Sequence, residues 1–430
     1  MLKRVTSLAS HGAKKLLRVG GSSADLSKED VQIARDYIAQ YWVKLERYHA
    51  KDEGNILGLP KPYLVPAFEE GHEFDFNEMY YWDSYFMVQG LLDEQHKTLV
   101  MGILDDLIFM FERFHVIPNA SRTYLTGRSQ PPILTSFIMD VYNTYHPGLN
   151  WLKAKMEVAK REYKTVWMGA NKPNIRLVYK GLSRYFDINY THDLAEAESG
   201  WDYTPRFNRR CLIYLPVDLN ALLYKYEMDF AEVARLLGDD EEAAHWHEAA
   251  EKRKRTMDHL MWDRVRGLYF DYNYYKERRG TVVSLATYFP LWAGMVDPKR
   301  AKTLVRALRR FEQRGGLSTT DGVQLGKYVP GALPTQWAYP NGWAPLHYIV
   351  VQGLRRYGYH DEAKRIAQKW LRTNLNWFGK HGIFLEKYNV VNPGKPPLKG
   401  VYPSQTGFGW TNSVFERFCQ EFIDQEPKEQ

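Results

Sequence analysis

Two stretches of this chain echo each other about 115 residues apart, and the repeat restricts the folds open to it. Leu237-Gly238-Asp239-Asp240-Glu241-Glu242-Ala243 has the pattern of Tyr357-Gly358-Tyr359-His360-Asp361-Glu362-Ala363, and each opens a segment rich in Ala, Lys and Arg. Each segment is followed by a Gly-led apolar piece, Gly267-Leu268-Tyr269-Phe270-Asp271-Tyr272-Asn273 and then Gly382-Ile383-Phe384-Leu385-Glu386-Lys387-Tyr388-Asn389. That interval leaves room for about two helix pairs between echoes at ordinary helix and loop lengths. Repeated helix hairpins predict a solenoid or a closed toroid. Closure is favoured because long loops follow alternate helices, as they would around a central cleft. These rim loops are residues 65–85, 118–132, 198–206, 315–343 and 392–410, and they carry most of the Gly, Pro and Trp.

Helical spacing dominates elsewhere. Ser27-Lys28-Glu29-Asp30 reads as a capping box, followed by Val31, Ala34, Ile38, Tyr41, Trp42 and Leu45 on one helical face. A second helix is predicted from Asp218 to Leu237, with Leu219, Leu222, Leu223, Tyr226, Phe230, Val233 and Leu237 inward and Gly238 as its stop. A third runs from about Glu241 to Trp262. Alternating strand patterns are scarce, so the expected fold class is all-α. A basic N-terminal segment (1–26), one catalytic domain (27–423) and a short C-terminal tail (424–430) describe the expected organisation.

Composition excludes several roles. The formal charge of +7 over 430 residues is modest, and no dense basic stretch accompanies a nucleic-acid fold signature. No run reaches the ~20 apolar residues a membrane span needs. The N-terminus is basic but lacks the continuous apolar core of a signal peptide, so a cytoplasmic monomer without nucleic-acid or membrane partners is expected. Two cysteines, Cys211 and Cys419, make neither a disulfide framework nor a metal site, and both are expected to be reduced and buried. The 30 Tyr and 13 Trp suit sugar rings, because each side chain pairs an apolar face with a polar tip.

Two carboxylates stand apart. Asp202 lies in Glu198-Ser199-Gly200-Trp201-Asp202-Tyr203, where aromatic neighbours desolvate it and raise its pKa. Glu386 lies in Leu385-Glu386-Lys387-Tyr388, where the lysine favours ionisation. One acid kept protonated and one kept charged is the minimum equipment for splitting a glycosidic bond.

The motifs are also those of a known family. Glu78-Met79-Tyr80-Tyr81-Trp82-Asp83-Ser84-Tyr85, Arg128-Ser129-Gln130-Pro131-Pro132, Leu182-Ser183-Arg184-Tyr185, Glu198-Ser199-Gly200-Trp201-Asp202 and Pro216-Val217-Asp218-Leu219-Asn220 follow in order. Gln336-Trp337, Pro340-Asn341-Gly342-Trp343-Ala344-Pro345, Glu386-Lys387-Tyr388 and Gly407-Phe408-Gly409-Trp410-Thr411-Asn412 complete the series. In these the chain resembles the trehalase family of inverting glycoside hydrolases. The resemblance implies an (α/α)6 barrel that splits α,α-trehalose into two glucoses with neither cofactor nor metal. It makes Asp202 the general acid and Glu386 the general base. Asp83 with Trp82, and Asn119 with Arg128, would hold the glucose at which the bond breaks, while Trp337 and Trp343 wall the pocket. Phe76, Tyr81, Gln130, Gly200 and Arg206 complete the substrate-binding set so implied.

The chain departs from the family pattern around the second sugar. Asp75 stands where the family carries a sugar-binding Arg, a Pro-Arg-Pro-Glu-Ser segment after Arg184-Tyr185 is missing, and Val401 replaces a lid glutamate. An incomplete or more open second-sugar site is the expectation, with His72, Lys399 or Arg206 as possible compensators. A glucoside with a different, anionic aglycone (favoured by Lys387, Lys395 and Lys399) and a catalytically inactive sugar-binding relative are the alternatives to trehalose hydrolysis.

Overall fold

The computed structural model describes residues 26–68, 76–322, 335–400 and 404–425. Within them helices alternate between two environments. Those of the outer layer are α1 (Lys28–Leu45), α3 (Lys97–Phe114), α5 (Leu149–Glu162), α8 (Asp240–Leu260), α10 (Pro298–Ala307) and α12 (His360–His381). Those of the inner layer are α2 (Tyr81–Val88), α4 (Leu134–Tyr145), α7 (Val217–Leu236), α9 (Phe289–Trp292), α11 (Ala344–Arg356) and α13 (Gly409–Phe422). A short α6 (His192–Glu198) interrupts the alternation ahead of α7.

Amphipathicity sorts the layers. A helix apolar along one stripe belongs at the surface of a core, whereas one buried all round belongs inside it. Every residue of α2 is buried, while α8 buries only Ala243, Trp246, Ala250, Arg253, Met257 and Leu260. The inner helices close on themselves. Helix α13 packs on α2, and α4–α7, α7–α9, α9–α11 and α11–α13 are neighbours. The remaining join, α2 to α4, is made by the Tyr85–Phe137 ring contact and a 3.1 Å bond from Gln89 Nε2 to Asp140 Oδ2. Helix α1 completes the outer layer by packing on α12 and α13. The fold is an (α/α)6 barrel.

The sequence reading locates its helices well. Ser27 Oγ accepts the Asp30 N–H at the start of α1, and the helix buries the six residues expected of it. The helices anticipated at 218–237 and 241–262 are α7 and α8, each starting one residue earlier and ending one or two earlier. Both cysteines are buried and unpaired. The rim loops differ from an all-α picture in being tied by short antiparallel ribbons, such as Asn341–Trp343 with Lys387–Asn389 and Trp262–Asp263 with Leu268–Tyr269. Both Gly-led echoes form such strands. Alternation over two or three residues is too brief to register as a strand pattern. No helix among the described residues is long and apolar enough to cross a membrane.

Ring closure demands close approach at α2–α13. A Cβ on Gly90, just beyond α2, would lie 2.5 Å from the Ser413 carbonyl oxygen, and the Gly90 N–H donates to Ser413 Oγ at 2.7 Å. Gly90→Ala must therefore push backbone against backbone, and should destabilise by about 1–3 kcal/mol. Denaturant unfolding of the variant beside the parent checks this, and equal midpoints would refute it.

Candidate active site

The N-terminal ends of inner helices converge on one pocket of about 290 Å³, the lower end of the range for small-ligand sites. Trp82 and Asp83 come from the first turn of α2, Arg128 and Gln130 from the loop entering α4, Gly200 and Asp202 from the loop before α7, and Trp337 from the approach to α11. Gln405, Phe408 and Trp410 belong to the start of α13, and Glu386 follows α12. Phe76 and Asn119 also line the cavity. The structure thus gathers Asp202, Glu386, Phe76, Trp82, Asp83, Asn119, Arg128, Gln130, Gly200 and Trp337 from widely separated motifs.

The two principal carboxylates are held differently. Burial raises the Asp202 pKa to about 6; the Arg128 charge opposes this and the Glu386 charge adds to it. Glu386 is buried beside a buried cation, with its Oε2 accepting from Lys387 Nζ at 2.5 Å. Its backbone is fixed too: the N–H donates to Gln405 O at 3.0 Å, and the carbonyl accepts from Trp410 Nε1 at 3.1 Å. Asp83 is the third acid, pushed up to about 8 by burial against hydrogen bonds from Gln130 and its own N–H, with the Asp202 and Glu386 charges adding. Gln130 in turn accepts the Trp82 N–H at 2.9 Å.

Arg128 serves two purposes. Its Nη1 donates to buried Asp187 Oδ2 at 3.1 Å, while its buried Nε has no partner. The guanidinium is thus anchored by Asp187 while the residue lines the pocket. Gly200 is required by geometry: its φ is +71°, and a Cβ there would stand 2.5 Å from the Trp82 ring. The acid loop can press against Trp82 only without a side chain at this position.

Three residues expected at the substrate lie behind the pocket instead. Tyr81 is buried among Tyr226 and Glu162, and its hydroxyl accepts the Ile133 and Leu134 N–H groups at 3.2 and 3.0 Å, capping α4. Trp343 is fully buried, its ring lying 3.8 Å from that of Trp337 at an interplanar angle of 3°. Arg206 spends its guanidinium on Asp218 (2.7 Å twice) and Asp271 (3.0 and 2.8 Å). Four of its five N–H groups are used there and the side chain is wholly buried outside the pocket lining, so it cannot compensate at a second subsite. Sequence position did not separate these residues from true lining residues, because adjacent residues on a helix or loop face opposite ways. Asp75, His72 and Val401 lie outside the described residues.

A model of the trehalase family matches residues 22–193 and 182–422. The chain belongs to the trehalase family. It is 31% identical over 471 aligned positions to a cytosolic neutral trehalase of Kluyveromyces lactis, covering 93% of this chain. The chain spans 61% of the length of that relative. Neutral trehalase Nth1 from Saccharomyces cerevisiae superposes with a TM-score of 0.73 at 30% identity, over 85% of this chain and 74% of the yeast one. A GH63 mannosylglycerate hydrolase from Thermus thermophilus, in complex with glucose, shares the fold at a TM-score of 0.66 and 18% identity, over 90% of this chain and 100% of its own.

Within this member of the trehalase family, sequence reasoning missed Tyr80, Leu125, Ala197, Gln405, Phe408 and Trp410, all of which line the pocket. Their signal was partly present: Tyr80, Phe408 and Trp410 lie inside the motifs quoted above, and Ala197 adjoins another. Tyr80 is further fixed by its hydroxyl, which donates to Glu78 Oε1 at 3.0 Å, and Arg122 pairs with that carboxylate at 2.9 Å.

The buried Arg206 pairing gives a test of the support beneath the acid loop. Arg206→Met leaves Asp218 and Asp271 buried without their cation, which typically costs about 3–5 kcal/mol. Chemical denaturation should show a loss of that size, and a loss under about 1 kcal/mol would mean the triad contributes little.

Proposed function

We propose that this chain hydrolyses α-glucosidic bonds with inversion, and that α,α-trehalose is its substrate. The observation carrying this reading is that Asp202, whose pKa burial raises, and Glu386, paired with the buried Lys387, line one small pocket together with Asp83 and Arg128. In this mechanism Asp202 gives its proton to the bridging oxygen. Glu386 takes a proton from a water that attacks the opposite face of the glucose carbon. An inverting site needs the two carboxyl groups ~6.5–9.5 Å apart so that this water fits. The names of the yeast relatives point to the same substrate and to a cytosolic location. Lys387, one of three lysines that suggested an anionic aglycone, is buried between Glu386 and the Trp343 ring, so the structure offers no support for that alternative through it.

Inversion fixes the products. The glucose that is attacked leaves as the β-anomer, while the departing glucose keeps its α-configuration. Proton NMR of the first turnovers on trehalose should therefore show both anomers in equal amounts before mutarotation; early α-anomer alone would overturn the assignment. Asp202→Asn and Glu386→Gln should each lower kcat by about 10²–10⁴.

The pH profile follows from the same pair. Activity needs Asp202 protonated, so kcat/KM falls as pH rises through its value near 6. Because the carboxylates interact, that limb belongs to the cluster and not to a single residue. Arg128 favours ionised Asp202, so Arg128→Met should move the alkaline limb to higher pH while weakening substrate binding. A limb that moves to lower pH would contradict the proposed electrostatics.

A further inference from the structure

Glu196 is a buried carboxyl that the mechanism above does not use. It lies on α6, two residues before Glu198, and is 7% exposed. No ion pair with a cation forms at it among the described residues; Arg206, whose charge acts on it, is already committed to Asp218 and Asp271. Burying a carboxyl in this way is costly unless the group has a task or takes up a proton.

Its contacts bracket the acid on both sides. On the upstream side the Glu196 carbonyl accepts Ser199 N–H at 2.9 Å and Ser199 Oγ–H at 2.5 Å, and Ser199 Oγ then accepts Trp201 N–H at 3.1 Å. On the downstream side its side-chain Oε1 accepts Thr204 N–H at 2.9 Å. Between these two anchors stand Gly200, Trp201, Asp202 and Tyr203. Gly200 and Tyr203 both have positive φ (71° and 59°), so the loop reverses twice within four residues. A turn so tight holds its shape only if its backbone donors are satisfied on both sides.

We infer that Glu196 is the positioning residue of the acid loop, holding Asp202 at the bridging oxygen through its carboxyl bound to Thr204. This rests on Asp202 being the general acid. The surroundings agree with a neutral Glu196. Burial pushes its pKa up to about 8 against the Thr204 hydrogen bond, with Asp202 and Asp193 raising it further and Arg206 opposing. Tyr203 and Cys211 are the other titratable groups that sense its charge. A neutral carboxyl also spares Asp202 a second negative neighbour beyond Glu386.

The test compares Glu196→Gln with Glu196→Leu on trehalose and on α-glucosyl fluoride, whose leaving group departs without a proton. The amide keeps the acceptor for Thr204 and cannot ionise, whereas leucine fills similar volume and leaves that N–H unsatisfied. Glu196→Gln should keep kcat within about twofold and leave the alkaline limb in place. Glu196→Leu should lose about 10- to 100-fold in kcat on trehalose, the scale on which a misplaced group near 1 Å acts. Its KM should stay within about threefold and its rate on the fluoride should be largely spared.

Equal losses on both substrates, or an equal loss in the glutamine variant, would overturn the inference, as would a leucine variant with parental kcat. An alkaline limb pulled to lower pH in Glu196→Gln would show that Glu196 works ionised, and would overturn the neutral carboxyl. Asp202→Asn in the same series isolates the underlying assignment. If that variant keeps its rate on trehalose, the acid itself is misassigned; if it loses trehalose activity while Glu196→Leu does not, only the positioning role fails.

Discussion

The acid side of the pocket depends on one buried cation. Arg206 is wholly enclosed and joins Asp218, at the first turn of α7, to Asp271, in the Gly-led piece after α8. Asp271 Oδ1 also accepts the Val217 N–H at 2.9 Å, satisfying one of the donors left open at the start of α7. The same guanidinium lies 4.4 Å from the centre of the Trp201 ring, one residue before the acid. A helix start, a rim loop and the acid loop are thereby tied at one point. Arginine suits this place because its planar fork serves two carboxylates while its face remains available for stacking.

From that point a continuous stack reaches the other half of the site. Trp201 stacks on Trp337 at 5.4 Å, Trp337 on Trp343 at 3.8 Å, and Lys387 Nζ sits 4.9 Å above Trp343 while bonding Glu386. The stack begins at the loop bearing Asp202 and ends at Glu386. Aromatic rings are rigid, with only two side-chain torsions each, so contacts in series transmit position with little slack. Trp343 therefore matters to this site although it lines no part of the pocket. Its indole N–H donates to Gln336 O at 3.3 Å, which fixes the loop bearing Trp337 from behind.

These layers explain what could be read in the sequence. The barrel was legible because the echo of 237–243 at 357–363 marks repeated helix hairpins, and because the ordered motifs resemble those of a family with that fold. Asp202 and Glu386 stood out as a pair because Trp201 and Lys387 adjoin them in sequence, and the structure brings both carboxylates to one pocket. Arg206, Tyr81 and Trp343 were misplaced because their partners, Asp218 and Asp271, Glu162 and Tyr226, and Trp337, are identified only by tertiary packing. Phe408 and Trp410 were overlooked for the opposite reason. They sit at a helix start whose inward face becomes a pocket wall only once α13 has closed against α2.

Charge balance then divides the roles of the carboxylates. Among the described lining residues, Asp83, Asp202 and Glu386 are acids and Arg128 is the cation. Lys387 neutralises Glu386 from behind the wall, and Arg128 shares its charge with Asp187. Little positive charge remains for Asp83 and Asp202; burial raises Asp83 to about 8 and Asp202 to about 6, so at neutral pH it is Asp83 that is held mainly protonated. The N-terminal ends of the inner helices add partial positive charge at their first turns, but the burial of both acids outweighs it, since both pKa values are raised. Glu386 has a buried cation of its own, whereas Asp83 and Asp202 have none. On the mechanism proposed above, the placement of that lysine is what would leave Glu386 to take a proton from water and Asp202 to give one away.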